Sequence, residues 1–293
     1  MKLKLAQPHI LGSDLAGDVV EVGSEVSNVK KGDRVVVNPR YTCGQCRFCL
    51  AGQDDLCPKW GMLGVNTNGG YAEYVTAQGV NTITLPDSLS YEQAAALPTV
   101  YMPTWRLLMR CAAVKPWESV LVVSASSGVG TAAIQIAKKV IGATVIATTS
   151  TEDKAQKARE LGADHVILYN QEDVSQRVKE LTSGRGVDAV IDHVGADAWE
   201  SAFASLAPGG RYGICGVTSG YKAQLHMGAM FTKQVTVYGV FMSTKEDFRQ
   251  IVYTAGKGLI RSIIHQTFSL QETHKAHEVM EGLNFFGKLV VVP

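Results

Sequence analysis

Four cysteines lie within a stretch of fifteen residues, and their spacing indicates a metal site. Two residues separate Cys43 from Cys46 and Cys46 from Cys49, and seven more precede Cys57. Four thiolates complete the tetrahedral shell of Zn²⁺ and leave no open position for a substrate, which is typical of a structural site. Disulfides are the alternative, but they belong mainly to small secreted domains. In a chain of 293 residues with six cysteines, the pattern predicts one structural zinc. A redox centre and a zinc lobe that has lost its metal stay open as alternatives.

A second motif lies where an apolar run gives way to small residues. The run Val120–Ser124 is followed by Ala-Ser-Ser-Gly-Val-Gly at 125–130, and an apolar helix is predicted at 131–140. Small residues permit a tight turn, and the free amide groups of a helix N-terminus attract a pyrophosphate. We therefore predict a dinucleotide-binding loop, although Ala125 and Ser127 replace the first two glycines of the usual fingerprint. A strand-to-helix turn without a ligand is the alternative.

The predicted secondary structure that would position these residues changes from short strands to helices near residue 90. Before it, short apolar runs between Gly, Asp and Asn predict an irregular β domain, with strands at 18–22, 34–37 and 69–75. Residues 90–113 predict helices that Pro98 and Pro103 interrupt. After that, strands are predicted at 119–124, 144–148, 165–168, 189–193, 211–217 and 235–241, with helices from about 128 and at 151–161, 173–182 and 197–206. Apolar strands alternating with helices imply parallel crossovers, so the fold class is α/β with a doubly wound parallel sheet.

The composition excludes several classes of function. The 28 Lys and Arg residues nearly balance the 27 Asp and Glu residues, so no charged surface for nucleic acid or anionic membrane is expected. No apolar run reaches the length of a membrane span. Residues Met1–Leu5 are not followed by the apolar core of a signal peptide. We therefore expect a cytoplasmic protein that acts on a small molecule.

Several segments, spread over nearly the whole chain and in a fixed order, resemble the medium-chain dehydrogenase/reductase family. They are Leu11–Gly17, Gly32–Val35, the cysteine lobe at 43–57, Gly70–Val75, the loop at 124–130, Leu161–Asp164 and Gly287–Val290. The family includes zinc-type alcohol dehydrogenases and quinone oxidoreductases similar to zeta-crystallin. The resemblance implies a GroES-like catalytic domain at 1–100, a Rossmann dinucleotide-binding domain at 101–243, and a segment at 244–293 that returns to the first domain. It also implies a homodimer or homotetramer that pairs through the strand at 235–241.

The chain departs from the family pattern at the catalytic zinc. The family's Gly-His-Glu is Gly12-Ser13-Asp14 here, and a ligand cysteine falls near Thr99. A hydroxyl is a poor zinc ligand beside imidazole or thiolate, so no catalytic zinc is expected. The family's opening strands, which usually carry one more ligand cysteine, have no counterpart before Met1. The chain is therefore expected to start inside the first domain.

These features together predict an NAD(P)H-dependent oxidoreductase that transfers hydride without a catalytic metal. Hydrogen-bond donors must then stabilise the developing oxyanion, and Ser13, Tyr41 and Thr99 are the candidates. Quinones and α,β-unsaturated carbonyls need less polarisation than simple ketones, so they are the expected acceptors. The four-cysteine lobe keeps a zinc-type alcohol or aldehyde dehydrogenase open. A catalytically silent NADPH-binding protein and a methyltransferase are further alternatives.

The end of the second predicted nucleotide-domain strand favours NADPH over NADH. An NAD site usually carries an acidic residue there, whereas this chain has Thr149-Ser150-Thr151 followed by Lys154. Glu152 and Asp153 are interpreted as first-turn acids that suit the dipole of the next helix. Tyr169 resembles a tyrosine beside the adenosine phosphate in quinone reductases. His193 ends a strand that faces the cofactor crevice, where either a contact with the cofactor's ribose or a packing or capping role stays open. The predicted cofactor-binding residues are Ser126, Ser127, Gly128, Val129, Gly130, Ser150, Lys154, Tyr169, His193, Val217 and Phe241.

Overall fold

The computed structural model describes residues 8–293. The expectation that the chain starts inside the first domain concerns residues that lie outside this range. The described strands are β1 (Leu15–Asp18), β2 (Arg34–Val37), β3 (Arg40–Tyr41), β4 (Gly61–Met62), β5 (Thr82–Thr84), β6 (Ser119–Val122), β7 (Thr144–Thr149), β8 (His165–Leu168), β9 (Val187–Asp192), β10 (Leu206–Ile214), β11 (Thr236–Gly239), β12 (Ile264–Ser269) and β13 (Lys288–Val292). The α-helices are α1 (Arg47–Leu50), α2 (Tyr91–Ala95), α3 (Pro98–Trp105), α4 (Gly128–Gln135), α5 (Glu152–Leu161), α6 (Val174–Leu181), α7 (Ala196–Ala204), α8 (Met227–Lys233), α9 (Lys245–Gly256) and α10 (Thr273–Glu281). Wider π-helical turns at Arg106–Cys111 and Ile136–Ile141 extend α3 and α4, and 3₁₀ turns lie at Asp54–Leu56, Gly79–Asn81 and Leu270–Glu272.

The chain divides into two compact units. One consists of Met1–Met102 together with Met242–Pro293, and the other of Pro103–Phe241. The second unit contains a six-stranded sheet in the order β11-β10-β9-β6-β7-β8, with every neighbouring pair parallel. This is the strand order of a doubly wound dinucleotide-binding fold, so the predicted fold class is confirmed.

The sheet of the second unit is stabilised by apolar side chains buried along four of its strands. Leu121, Ile146, Ile167 and Val190 lie in four different strands and are almost completely buried. Each such side chain contributes about 1.5–3 kcal/mol relative to an exposed one. Strand β6 pairs with both β7 and β9. Because the strand order reverses direction at β6, its carboxyl end lies at the topological switch point of the sheet.

Side-chain caps fix where several helices begin. In each case a hydroxyl or carboxylate accepts a hydrogen bond from the amide three residues later; the caps are Ser90, Ser127, Thr151, Asp173 and Thr244. A cap of this type stabilises a helix by about 1 kcal/mol. Three of them start α4, α5 and α6, directly after strands β6, β7 and β8, and so help to set the loops at the carboxyl edge of the sheet.

The first unit contains smaller sheets. Strands β1, β2 and β5 form an antiparallel sheet in which Val35 lies opposite both Gly17 and Thr84. Strands β3 and β4 form an antiparallel pair, and β12 pairs with β13 in parallel. This assembly of short strands agrees with the predicted irregular, GroES-like β domain.

Two predicted strands of the first unit are wrong. The strand predicted at 18–22 lies earlier, at Leu15–Asp18, and both Val20 and Val22 are exposed. Residues 69–75 form no strand, because the amides of Gly70 and Tyr71 donate instead to the carbonyls of Gly12 and Leu11. No helix within residues 8–293 has both the length and the apolar character needed to cross a membrane.

Candidate metal and cofactor sites

The four clustered cysteines converge in the first unit. Their sulfur atoms all lie within 4.8 Å of one another. The separations are 3.5 Å between Cys46 and Cys49, 3.6 Å between Cys43 and Cys57, and 4.0 Å between Cys43 and Cys49. Tetrahedral zinc with Zn–S bonds near 2.3 Å requires sulfur–sulfur distances of about 3.8 Å. The donor set therefore fits a single zinc ion, as the spacing predicts. Within residues 8–293, no other group of three or more His, Cys, Asp or Glu side chains could hold a metal.

The backbone around the cluster favours thiolate at one ligand. Amides of Gln45 and Cys46 donate to the sulfur of Cys43 and lower its pKa to about 6. Burial acts in the opposite direction at Cys49, whose pKa is raised to about 11. A bound divalent cation deprotonates a coordinating thiol, so both groups can serve as ligands.

The cysteine lobe at 43–57 and the adjoining Thr42 contact α9 through two hydrogen bonds of Lys245. The amide of Lys245 donates to the Asp54 carboxylate at 3.3 Å, and its ammonium group donates to Thr42 Oγ1 at 3.1 Å. Asp54 thereby places a negative charge at the amino end of α9, where the helix dipole favours it. The lobe and α9 are 191 residues apart in sequence at this contact.

In the second unit, the loop between β6 and α4 is shaped by a serine and a glycine. Ser127 Oγ donates to the carbonyl of Ser124 at 2.9 Å and accepts from the amide of Gly130 at 2.8 Å. A Cβ built on Gly130 would overlap the carbonyl oxygen of Ser124 and lie 2.8 Å from Cα of Ala125. Only glycine lets α4 begin so close to the strand. The amino end of α4 can therefore present backbone amides to a phosphate.

The structure places the predicted cofactor residues after the carboxyl ends of the six parallel strands. The loop residues Ser126–Gly130 follow β6, Ser150 and Lys154 follow β7, and the other four strands β8, β9, β10 and β11 are followed by Tyr169, His193, Val217 and Phe241. Parallel strands end at one edge of the sheet, so these positions share that edge. In open α/β sheets, ligands bind in the crevice outside this edge.

Two buried polar atoms near this edge lack hydrogen-bond partners among the described residues. They are Nδ1 of His193 and Oγ1 of Thr149. Burial lowers the pKa of His193 to about 4, so its imidazole is neutral at pH 7 and can accept or donate one hydrogen bond through each nitrogen. Buried polar groups without partners are uncommon in folded proteins. Together with the loop at Gly130, they fit a polar cofactor that supplies the missing bonds.

The acidic residues after β7 are paired within their own helix. Glu152 forms an ion pair with Arg159 at 2.6 Å, and Asp153 forms one with Lys157 at 2.8 Å. Thr151 caps the helix through the amide of Lys154. The two carboxylates therefore contribute little net negative charge at this end of α5.

In the first unit, the Asp14 carboxylate accepts hydrogen bonds from two residues, Thr99 and Lys288. It accepts a hydrogen bond from the amide of Thr99 at 3.0 Å, a short one from the Thr99 hydroxyl, and one from Lys288 Nζ at 3.3 Å. The Ser13 hydroxyl donates to the carbonyl of Leu63 at 2.8 Å. Burial, and secondly the charge of Asp14, raise the pKa of Tyr71. Ser13 and Thr99 thus use their hydroxyl protons within the protein.

Tyr41 differs from the other two predicted oxyanion donors. Its hydroxyl makes no hydrogen bond with any described residue, and Tyr41 is one of the residues that line a cleft of about 560 Å³. Leu63, whose carbonyl binds Ser13, lines the same cleft. Of the three predicted donors, Tyr41 is thus the one whose hydroxyl has no hydrogen-bond partner within residues 8–293.

Sequence reasoning missed two polar pairs. The Asp14–Lys288 pair joins residues 274 positions apart, and no local signal links them. The other is a hydrogen bond of 2.8 Å between Asp192 and Tyr212. An acidic residue at the end of the apolar strand β9, three residues before Gly195, was a usable signal for the second pair.

Comparison with known proteins finds similarity over both units. The family model described as the alcohol dehydrogenase GroES-like domain matches residues 1–87, and the one described as zinc-binding dehydrogenase matches residues 128–255. An NAD-dependent alcohol dehydrogenase of Saccharolobus solfataricus is 35% identical over 291 residues, covering 98% of this chain and 82% of the relative. A quinone oxidoreductase of Pseudomonas aeruginosa is 32% identical over 295 residues, again covering 98% and 82%. The crystal structure of an NAD-dependent alcohol dehydrogenase matches with a TM-score of 0.94 at 40% identity, covering 99% of this chain and 84% of the other.

Proposed function

Because the chain belongs to the medium-chain dehydrogenase/reductase family, among its zinc-type alcohol dehydrogenases, we propose that it reduces a quinone or an α,β-unsaturated carbonyl without a catalytic zinc. Membership of this family makes it an NAD(P)-dependent oxidoreductase. The acceptor and the absence of a catalytic metal are the proposed parts. The four-cysteine cluster is assigned to one structural zinc, which its sulfur geometry fits.

The observation that supports a metal-free reaction is that the hydroxyl groups of Ser13 and Thr99 are already hydrogen-bonded. They stand where the family pattern has zinc-binding side chains, and each hydroxyl donates to an acceptor inside the protein. Neutral hydroxyls are weak ligands for zinc. Asp14, the nearby carboxylate, is already engaged by Thr99 and Lys288. The local polar groups therefore satisfy one another without a metal ion.

A bound nicotinamide cofactor would supply the hydride. We assign to Tyr41 the hydrogen bond that stabilises negative charge on the acceptor's oxygen, because its hydroxyl is unpaired beside a cleft. Ser13 and Thr99 are proposed as secondary donors, since each must first release its present acceptor. A conjugated acceptor delocalises the charge after hydride addition, so one donor of this kind can suffice.

The function is tested with the purified full chain and NADPH. We expect NADPH oxidation with 9,10-phenanthrenequinone or an enone, unaffected by a chelator that removes loosely held zinc. Tyr41→Phe should lower kcat by about a hundredfold, the usual cost of one oxyanion donor. Tyr253→Phe, the same change at an exposed ring, should leave kcat unchanged. Tight NADPH binding without turnover would instead indicate a silent binding protein, and equal kcat in Tyr41→Phe would exclude the role of Tyr41.

A zinc-type alcohol or aldehyde dehydrogenase is the second candidate. It is favoured by the similarity to enzymes named as alcohol dehydrogenases. That activity would appear as NAD(P)⁺ reduction with a simple alcohol. It should also require a second zinc ion per chain, beyond the one at the cysteines.

We further propose that the enzyme prefers NADPH. The end of β7 and the two residues after it, 149–151, include no acidic side chain. Lys154 lies in the first turn of α5, and Glu152 and Asp153 are paired with Arg159 and Lys157. The names of two similar proteins specify NAD instead, so the preference needs a direct measurement. We expect Lys154→Ala to weaken NADPH binding by about tenfold, equal to roughly 1.4 kcal/mol, and to leave NADH binding unchanged. Lys179→Ala on α6 is the control. NADH binding as tight as NADPH in wild type would refute the preference.

A further inference from the structure

The carboxylate of Asp192 is completely buried at the carboxyl end of β9. It accepts hydrogen bonds from the amide of Val194 at 2.7 Å, the amide of Gly195 at 3.2 Å and the hydroxyl of Tyr212 at 2.8 Å. Burial raises the pKa of Asp192, and these three donors oppose that shift. A buried carboxylate is costly unless it is fully hydrogen-bonded. Asp192 therefore connects the loop that follows β9 to Tyr212 on β10 through hydrogen bonds to one carboxylate.

The loop that Asp192 holds is also paired with the loop after β10. The amide of Ser219 donates to the carbonyl of Val194 at 2.8 Å, and Gly195 forms an isolated bridge with Gly220. Gly195 has a φ of +89°, and a Cβ there would lie 2.8 Å from the carbonyl oxygen of Gly220. The conformation of residues 193–195 is thus specified by contacts on both sides.

Tyr212 is anchored independently of its hydroxyl. Its ring is completely buried, with its centroid 4.7 Å from that of Trp199 and 6.4 Å from that of Phe203. Both neighbours lie on α7, the helix that starts directly after the loop. The ring position is therefore set by apolar packing, and the hydroxyl adds a fixed donor for Asp192.

We propose that Asp192 and Tyr212 are positioning residues that hold residues 193–195 in the shape needed by the nicotinamide half of the cofactor. The inference rests on the proposed use of a dinucleotide. In this fold each half of the sheet binds one mononucleotide. The adenosine half is assigned to β6 and β7, where the phosphate loop and Lys154 lie. Strands β9 and β10 belong to the other half, where the unpaired Nδ1 of His193 lies.

The test compares a whole dinucleotide with its adenosine half, using the full chain and isothermal titration calorimetry. The pair is NADPH and 2′,5′-ADP, or NADH and 5′-ADP if the wild type binds NADH more tightly. We expect Tyr212→Phe to raise the dissociation constant of the dinucleotide by roughly tenfold, because a buried carboxylate loses a bond. Binding of the adenosine half should change less than about twofold, which is within ordinary mutational scatter. Asp192→Ala should have the larger effect on the dinucleotide.

Two controls separate positioning from a general loss of stability. Tyr101→Phe removes a similarly buried hydroxyl that lies in the first unit, where it donates to the carbonyl of Arg261 of the same unit, and should leave both affinities unchanged. Asp192→Asn retains acceptors for the two amides and can donate to Tyr212, so it should restore most of the dinucleotide affinity lost in Asp192→Ala. Equal weakening of both ligands in Tyr212→Phe, or no weakening of either, would overturn the inference. A wild type that binds no dinucleotide would overturn the proposed function as well.

Discussion

Gly130 shows how the absence of one side chain sets the start of a helix. Its position leaves no room for a Cβ against the backbone of Ser124 and Ala125. We predict that Gly130→Ala costs about 1–3 kcal/mol of unfolding free energy, as overpacking does. It should weaken dinucleotide binding in parallel, because the amino end of α4 must move. Thermal unfolding and calorimetric titration measure both effects. Gly17→Ala has no atom within 4 Å of the new Cβ and should change neither; unchanged binding in Gly130→Ala would contradict the prediction.

At the scale of residues, spacing alone could predict only those sites whose members are neighbours in the chain; the cofactor residues that follow different strands were predicted from the fold and the family resemblance. The four cysteines span a short lobe, so their spacing alone predicts convergence. The phosphate loop is likewise continuous between β6 and α4. Asp14, in contrast, receives bonds from Thr99 and Lys288, which are 85 and 274 residues away. Only the folded chain brings such groups together, and the same holds for Asp192 and Tyr212.

At the scale of elements, local pattern was sufficient where strands are buried on both faces. Every predicted strand of the second unit overlaps an observed one, and the most deeply buried runs, such as Val120–Val122, are apolar throughout. In the first unit the strands are short and partly exposed, so pairing partners decide which residues become a strand. The runs at 18–22 and 69–75 are apolar enough for strands, but their backbone bonds go elsewhere. Helix α8 was not predicted, because Met227 and Phe231 are exposed and give no clear apolar face.

The zinc lobe is an element whose stability should depend on the metal. We predict one zinc ion per chain in the purified protein and much less than one in Cys46→Ser, because metal-binding energy is also folding energy. Loss of the lobe should also expose the amide of Lys245, which donates to Asp54. Elemental analysis and amide hydrogen exchange measure the two effects. Cys111→Ser, outside the cluster, should retain the metal. Two zinc ions per chain in the wild type would contradict the assignment.

A partly buried ion pair joins the start of β6 to β10. The guanidinium of Arg211 makes two hydrogen bonds with Glu118, at 2.9 and 2.6 Å, and both side chains are less than one fifth exposed. We predict that Glu118→Gln lowers the unfolding free energy by about 1–3 kcal/mol, since Arg211 keeps its charge without a counterion. Urea unfolding measures the loss. Glu246→Gln breaks an exposed pair with Arg249 and should cost less than about 0.5 kcal/mol; equal costs would refute the distinction.

At the scale of the whole molecule, β11 leaves one side of the large sheet open. It is the last strand in the order, and among the described residues only β10 pairs with it. An open strand edge invites pairing with another chain. The amide of Val240 donates to Ile214 on β10. Because N–H directions alternate along a strand, the amide of Gly239 points away from β10. That amide is available to a second copy of the chain.

We therefore predict a homodimer or homotetramer whose assembly uses this amide. Gly239→Pro removes the outward N–H without removing a side chain, and proline is tolerated on a strand edge that has no partner within its own chain. The variant should form smaller particles than the wild type in light scattering at micromolar concentration. Gly239→Ala retains the amide, and its Cβ would meet no atom within 4 Å, so it should assemble as the wild type does. A monomeric wild type, or a Gly239→Pro variant of unchanged size, would show that the open edge of β11 does not serve assembly.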